Sequence, residues 1–107
     1  MEKISFSCCD DNDILQAITG KGKKNVIICG IESHICILQT TIDLLANGFV
    51  PFVVTNCISS RKPEDTIGAL ERMKFEGAIL TTYESVLFEL CRFAGTSQFK
   101  EISKLVK

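Results

Sequence analysis

Three apolar runs set the plan of the chain, each followed by a stretch in which apolar residues recur at helical spacing. Val26, Ile27, Ile28, Cys29 and Ile31 form a nearly continuous run without polar alternation, the pattern of a parallel strand covered on both faces. Gly30, Glu32, Ser33 and His34 interrupt it. Ile35, Leu38, Ile42, Leu45 and Ala46 then mark a helix from Ile35 to Asn47, with Gly48 where a terminating glycine would stand. Phe49–Thr55 reads as a second strand. Pro51 has no N–H to donate, so the paired part is expected to start at Phe52, and Asn56–Lys62 is expected to be the loop at its carboxyl end. Pro63 opens a helix with Glu64 and Asp65 in its first turn, an apolar face of Ile67, Leu70, Met73 and the Lys74 stem, and Gly77 as its stop. Ala78–Leu80 is a short third strand. Thr81, followed three residues on by Glu84, fits a capping box that opens a helix carrying Val86, Leu87 and Leu90. Gly95 breaks the chain, and Ser97–Lys107 forms an amphipathic helix through Phe99, Ile102, Leu105 and Val106. Ahead of all this, Met1–Cys9 reads as a strand end or extended arm, and Ile14–Thr19 as a short helix stopped by Gly20-Lys21-Gly22.

Strands alternating with helices imply right-handed βαβ units, an α/β fold and a parallel sheet. Ligands of such sheets bind beyond the carboxyl ends of the strands, here the loops Ile31–Ile35, Asn56–Lys62 and Thr81–Glu84. The 107 residues suffice for one domain. A net charge of −1 offers no footprint for nucleic acid or a membrane surface, and the densest basic cluster, Lys21, Lys23 and Lys24, reads as a solvated loop. No segment has the apolar length of a membrane span, and MEKISFSCC lacks a secretory core. The expected setting is intracellular, cytoplasmic first and mitochondrial second. There the six cysteines stay reduced, and Cys29, Cys57 and Cys91, inside apolar runs, are expected to pack as small hydrophobes. No metal site is expected: there is no C-x-x-C, Cys8 and Cys9 are adjacent, and His34 is the lone histidine.

Cys36 is the residue to watch. A thiol in the first turn of a helix faces unpaired N–H groups and the positive end of the dipole, a setting that favours thiolate. Familiar alternatives fail on spacing. A phosphatase loop needs arginine six residues after the cysteine, where Cys36 has Ile42 and Cys57 has Pro63. No G-x-G-x-x-G, Walker or nucleophile-elbow window occurs. What remains is attack on an acyl carbon or similar electrophile, with amides around Glu32 and Cys36 as oxyanion donors. The alternative is a cysteine that simply packs between helix and sheet.

Gly30–Thr40, GIESHICILQT, resembles the G-[VI]-x-[TS]-x-x-C-V-x-x-T signature of the isochorismatase-like cysteine hydrolases. The likeness continues through DLLANGF (43–49), ISSR (58–61), ALERM (69–73), GAILTTYESV (77–86) and FKEISKLVK (99–107), and is nearest to the isochorismatase domain-containing proteins. The resemblance implies a three-layer α/β/α fold around a six-stranded parallel sheet, of which this chain would be a partial domain, residues 1–107, lacking the first strands. It implies a catalytic set of aspartate, lysine and cysteine without a cofactor. The nucleophile falls on Cys36. The lysine falls on Lys3, because EKISFS (2–7) resembles the family's E-K-x-x-F-S. A cis peptide shaping the oxyanion hole falls at Ile31–Glu32. The aspartate has no counterpart: Asp10, Asp11 and Asp13 follow Lys3 in a turn. The expected function is hydrolysis of a small amide or related metabolite in a homo-oligomer; the alternative is a non-catalytic chain that binds or oligomerises. His34 is a pocket candidate or simply a polar helix-start residue. Ser59, Ser60 and Arg61 are candidates for ligand or subunit contact, with Ser60 alternatively capping the Pro63 helix. The 26–31 strand, written as a central strand, would stand at an open edge.

Overall fold

The computed structural model describes residues 2–106. Its sheet has three parallel strands, β1 (Asn25–Ile31), β2 (Val50–Ser59) and β3 (Ile79–Thr81), in that spatial order. Five α-helices surround them: α1 (Asn12–Thr19), α2 (Leu38–Ala46), α3 (Pro63–Glu76), α4 (Tyr83–Cys91) and α5 (Ser97–Val106). The Lys107 end of the last expected helix lies outside the described residues. The arm before α1 is not a strand; it is irregular and closes with a 3₁₀ turn, Cys8–Asp10. α1 begins earlier than the apolar pattern indicates, because Asp11 Oδ1 accepts the Ile14 N–H at 3.1 Å and caps it.

The core lies between the sheet and α2 and α3. Leu44, Val53 and Met73 are almost wholly buried, and Ile28, Ile37, Leu38, Ile58, Ala69 and Ala78 join them. The inward stripe of α3 is Thr66, Ala69, Leu70 and Met73, so Ile67, expected inward, stands exposed at 59%. On α2 the stripe is Leu38, Thr41 and Leu44, and Ala46 is exposed. The α3 stripe follows i, i+3, i+4, i+7 and the α2 stripe i, i+3, i+6, both within the apolar face of a helix. Pro63 occupies the first turn of α3, and Gly77 ends it at φ 111°, a left-handed conformation that glycine adopts without a Cβ penalty. On the opposite side of the sheet, Ile27 and Phe52 line a narrow cleft with Val86 and Leu90 of α4. The α4 cap is Thr82, whose Oγ1 accepts the Ser85 N–H at 3.3 Å, one residue later than the Thr81 capping box. Phe88 and Phe99, ring centroids 5.7 Å apart, join α4 to α5.

Strand β2 departs most from expectation. It starts at Val50, whose N–H donates to Lys24 O at 2.8 Å, and Pro51 is a buried, registered strand residue opposite Val26. A missing donor costs nothing where the parallel ladder does not call on that N–H. The strand also runs on through Ser59 instead of looping at Asn56. Between Ile28–Val53 and Gly30–Ile58 the register slips by several residues on the β2 side, and pairing resumes as far as Ile31–Ser59. Strand β1 is the edge of this sheet. Only Ile28 is buried in it, while Ile27 and Ile31 are 51% and 69% exposed. The double coverage implied by its apolar run is therefore not supplied by residues 2–106, and Cys29 and Cys57, expected inside, are exposed.

The buried cysteine is Cys9. Burial pushes its thiol up, with the Asp43 carboxylate adding to the effect. Cys9 is therefore expected to be the slowest of the six thiols to alkylate in the native state, by peptide mapping of timed samples. Met73→Ala removes the centre of the α3 stripe and is expected to cost about 2–5 kcal/mol, read as a lower urea midpoint.

Candidate functional site

Beyond the carboxyl end of β1 the chain turns sharply. Gly30 has φ 121°, a conformation closed to residues with a side chain, and the next peptide but one, Ile31–Glu32, is cis, at the bond to which the resemblance assigns it. The helix expected from Ile35 does not begin there. Ser33–Ile37 forms a π-helical turn in which Glu32 O accepts from both Ile35 N at 3.1 Å and Ile37 N at 3.2 Å, and α2 follows from Leu38. Widened turns of this kind recur at functional sites. Cys36 thus lies in a π turn ahead of α2 and not in the first turn of an α-helix. The Ile35 and Ile37 amides are committed to Glu32 O, which removes them as oxyanion donors.

Cys36 is half-buried and lines a cavity of ≈ 380 Å³ along the outer edge of β1. Lys3 lines the same cavity, 33 residues away in sequence (36 − 3). The arm carrying Lys3 is fastened by Cys8, whose N–H donates to Thr40 Oγ1 of α2 at 3.0 Å, and its 3₁₀ turn is capped by the buried Ser7 hydroxyl, which accepts the Cys9 N–H at 3.1 Å. Lys3 Nζ donates to Ser5 O at 2.6 Å and Phe6 O at 2.9 Å. An ammonium has three N–H donors, and the third has no partner among the described residues. Cys8 and Cys29 also line the cavity, a grouping the sequence did not reveal. Among the described residues no carboxylate lines it.

The other candidates gather separately. His34 Nδ1 lies 2.8 Å from Ser60 Oγ, and its Nε2 lies 3.7 Å from Asp65 Oδ2. Arg61 Nε donates to Glu32 Oε1 at 3.2 Å; with Arg61 82% exposed, the pair is worth at most about 1 kcal/mol. Thr66 Oγ1 donates to the buried Ser33 Oγ at 3.3 Å. None of His34, Ser59, Ser60 or Arg61 lines the cavity that holds Cys36. Ser59 is the exposed last residue of β2. Ser60 does not cap α3, whose N-cap is Lys62 without a side-chain bond; its hydroxyl faces His34. Asp65 was legible only as a first-turn acid. Its meeting with His34 follows from topology, because the carboxyl ends of adjacent parallel strands bring their loops together.

The isochorismatase domain model matches residues 1–85. Isochorismatase family protein 1B of Dictyostelium discoideum is 40% identical over 108 aligned positions, covering 99% of this chain and 52% of that protein. Among solved structures, one described as MAR1 ribonuclease from Caenorhabditis elegans superposes with a TM-score of 0.85 at 41% identity, over 97% of this chain and 53% of that one. YcaC from Pseudomonas aeruginosa, with hexane-2,5-diol and covalent acrylamide, gives a TM-score of 0.88 at 31% identity, over 94% and 51%. The chain spans about half the length of the curated relatives it matches. A family match over most of the chain, on top of the parallel sheet and the turn after β1, places it: the chain belongs to the isochorismatase family.

Proposed function

We propose that the chain carries the nucleophile of a cysteine hydrolase acting on a small amide or related metabolite. The observation that carries this reading is that Lys3 and Cys36 line one cavity along the outer edge of β1. Cys36 Sγ attacks the acyl carbon and the C–N bond breaks, giving a thioester and an amine that takes up the thiol proton. Water then hydrolyses the thioester, releasing the acid and restoring the thiol. The free Lys3 N–H stabilises the anionic sulfur or the developing oxyanion. The aspartate base of the resembling family has no counterpart on the cavity wall, and such a base is typically worth about 10²–10⁴-fold in rate. Whole-protein activity is therefore assigned to this cavity together with a base supplied from outside its described lining.

The name of the Caenorhabditis elegans structure belongs to that protein. Here a net charge of −1 and a cavity with one lysine favour a small neutral substrate over a polyanion. The covalent acrylamide of the Pseudomonas aeruginosa structure supports reaction of this fold with a small electrophilic amide, and acrylamide serves as the probe. At about pH 6.5, acrylamide or iodoacetamide is expected to modify Cys36 ahead of Cys29 and Cys57, although both of those are more exposed. Modification in order of exposure would sink the reading.

A second reading rests on the edge strand. The exposed Ile27 and Ile31 on the open side of β1 suit a binding or oligomerising chain, active or not. The isolated chain is expected to self-associate, giving a light-scattering mass above that of a monomer. A stable monomer at micromolar concentration would contradict this.

A further inference from the structure

Three polar links join the Glu32–Ile37 turn to the segment that ends β2 and starts α3. They are Arg61 to Glu32 at 3.2 Å, Thr66 to Ser33 at 3.3 Å, and His34 between Ser60 at 2.8 Å and Asp65 at 3.7 Å. Their positions differ in kind. The Arg61 guanidinium is largely in solvent and can exchange its partner for water at little cost. The Ser33–Thr66 bond is buried on the serine side but joins two neutral hydroxyls at a long distance. His34 is the short link, and it has two partners on two different elements: the strand end at Ser60 and the first turn of α3 at Asp65. Nδ1 and the Ser60 hydroxyl share one hydrogen bond whose donor depends on the ring tautomer, while Nε2 stands 3.7 Å from Asp65 Oδ2, beyond hydrogen-bond length. The Ser60 bond ties the imidazole, and through it the turn, to the segment that leads into α3, with the Asp65 carboxylate close by on its other side.

His34 stands two residues before Cys36, in the same π turn, and outside the cavity that Cys36 lines. We propose that His34, hydrogen-bonded to Ser60 beside Asp65, is a positioning residue that fixes the turn and with it the Cys36 thiol. It does not touch substrate. The proposal deepens the reading of Cys36 as nucleophile, yet its first consequence, a rigid turn, holds whatever Cys36 does. A loosened turn lets the thiol sample orientations away from Lys3, which lowers its reactivity without altering the exposed cysteines.

The test compares wild type, His34→Ala, His34→Gln and Ser60→Ala on the full chain by two measurements. The first is amide hydrogen exchange across residues 32–37. His34→Ala and Ser60→Ala are expected to speed exchange there several-fold and leave the core of α2 and α3 unchanged, while His34→Gln, which keeps a hydrogen bond to Ser60, restores much of the protection. Wild-type exchange in His34→Ala would overturn the proposal, as would a failure of glutamine to protect better than alanine. If His34→Ala does not fold, Ser60→Ala decides on its own. The second is the rate of Cys36 alkylation relative to Cys29 and Cys57, expected to fall several-fold in His34→Ala and to recover in His34→Gln. A Cys36 rate that ignores His34 in a wild type that labels Cys36 first would also overturn the proposal. A wild type that does not label Cys36 first counts against the nucleophile instead, and the exchange result then decides the positioning role.

Discussion

Parallel pairing of β1 with β2 is the constraint on which the site depends. It sends the carboxyl ends of both strands to the same side of the sheet, with Ile31 registered opposite Ser59. The turn after one strand and the segment after the other must then share a small space. Glu32, His34 and Ser33 meet Arg61, Ser60, Asp65 and Thr66 because of that register, and no sequence-local signal requires it. The irregularity between Ile28 and Gly30 is part of the same geometry: β2 carries extra residues there, so its last paired stretch is re-aimed to stay beside the end of β1.

The second constraint is the edge. β1 is apolar in sequence and mostly uncovered in residues 2–106, and the cavity that holds Cys36 runs along its outer side. Among the described residues the N-terminal arm and Ile18 of α1 partly close that side, the arm fastened through Cys8 to Thr40 and bringing Lys3 with it. The site is thus half framed by packed structure and half by an arm held with few buried contacts. The turn side is packed, with Ser33, Ile37 and Leu38 buried next to Cys36 in the chain, whereas Ile4 and Phe6 of the arm are exposed. Whatever covers the β1 edge, a second copy or further polypeptide, would also complete the wall of the cavity.

The strand–helix alternation was legible because periodicity and stop residues agree: Gly48, Gly77 and Pro63 all stand where the apolar pattern changes. The parallel, right-handed arrangement followed from topology rules alone. Phases and exact ends were not legible. Thr41 is wholly buried, its hydroxyl without a partner among the described residues, and Ile67 faces water, because packing distance decides the face where sequence offers two. The π turn at Ser33–Ile37 gave no signal, since its residues also fit an α-helix; the doubled hydrogen bond to Glu32 O exists only once the backbone is placed. Cys36 and Lys3 were singled out by motif, and their shared cavity is a three-dimensional fact. His34 and Ser60 were flagged apart, and their contact, 26 residues apart in sequence, needed the sheet register.

The central claim is that the arm and the turn converge on one reactive thiol. The most direct measurement is the rate of Cys36 alkylation in Lys3→Met against the unaltered chain, with Cys57, which lies off the cavity, as the internal reference. Loss of the ammonium is expected to slow Cys36 by roughly tenfold, the scale on which a nearby cation stabilises an anion, and to leave the exposed Cys57 unchanged. Equal Cys36 rates in both proteins would show that Lys3 and Cys36 line one cavity without acting together, and would contradict the account.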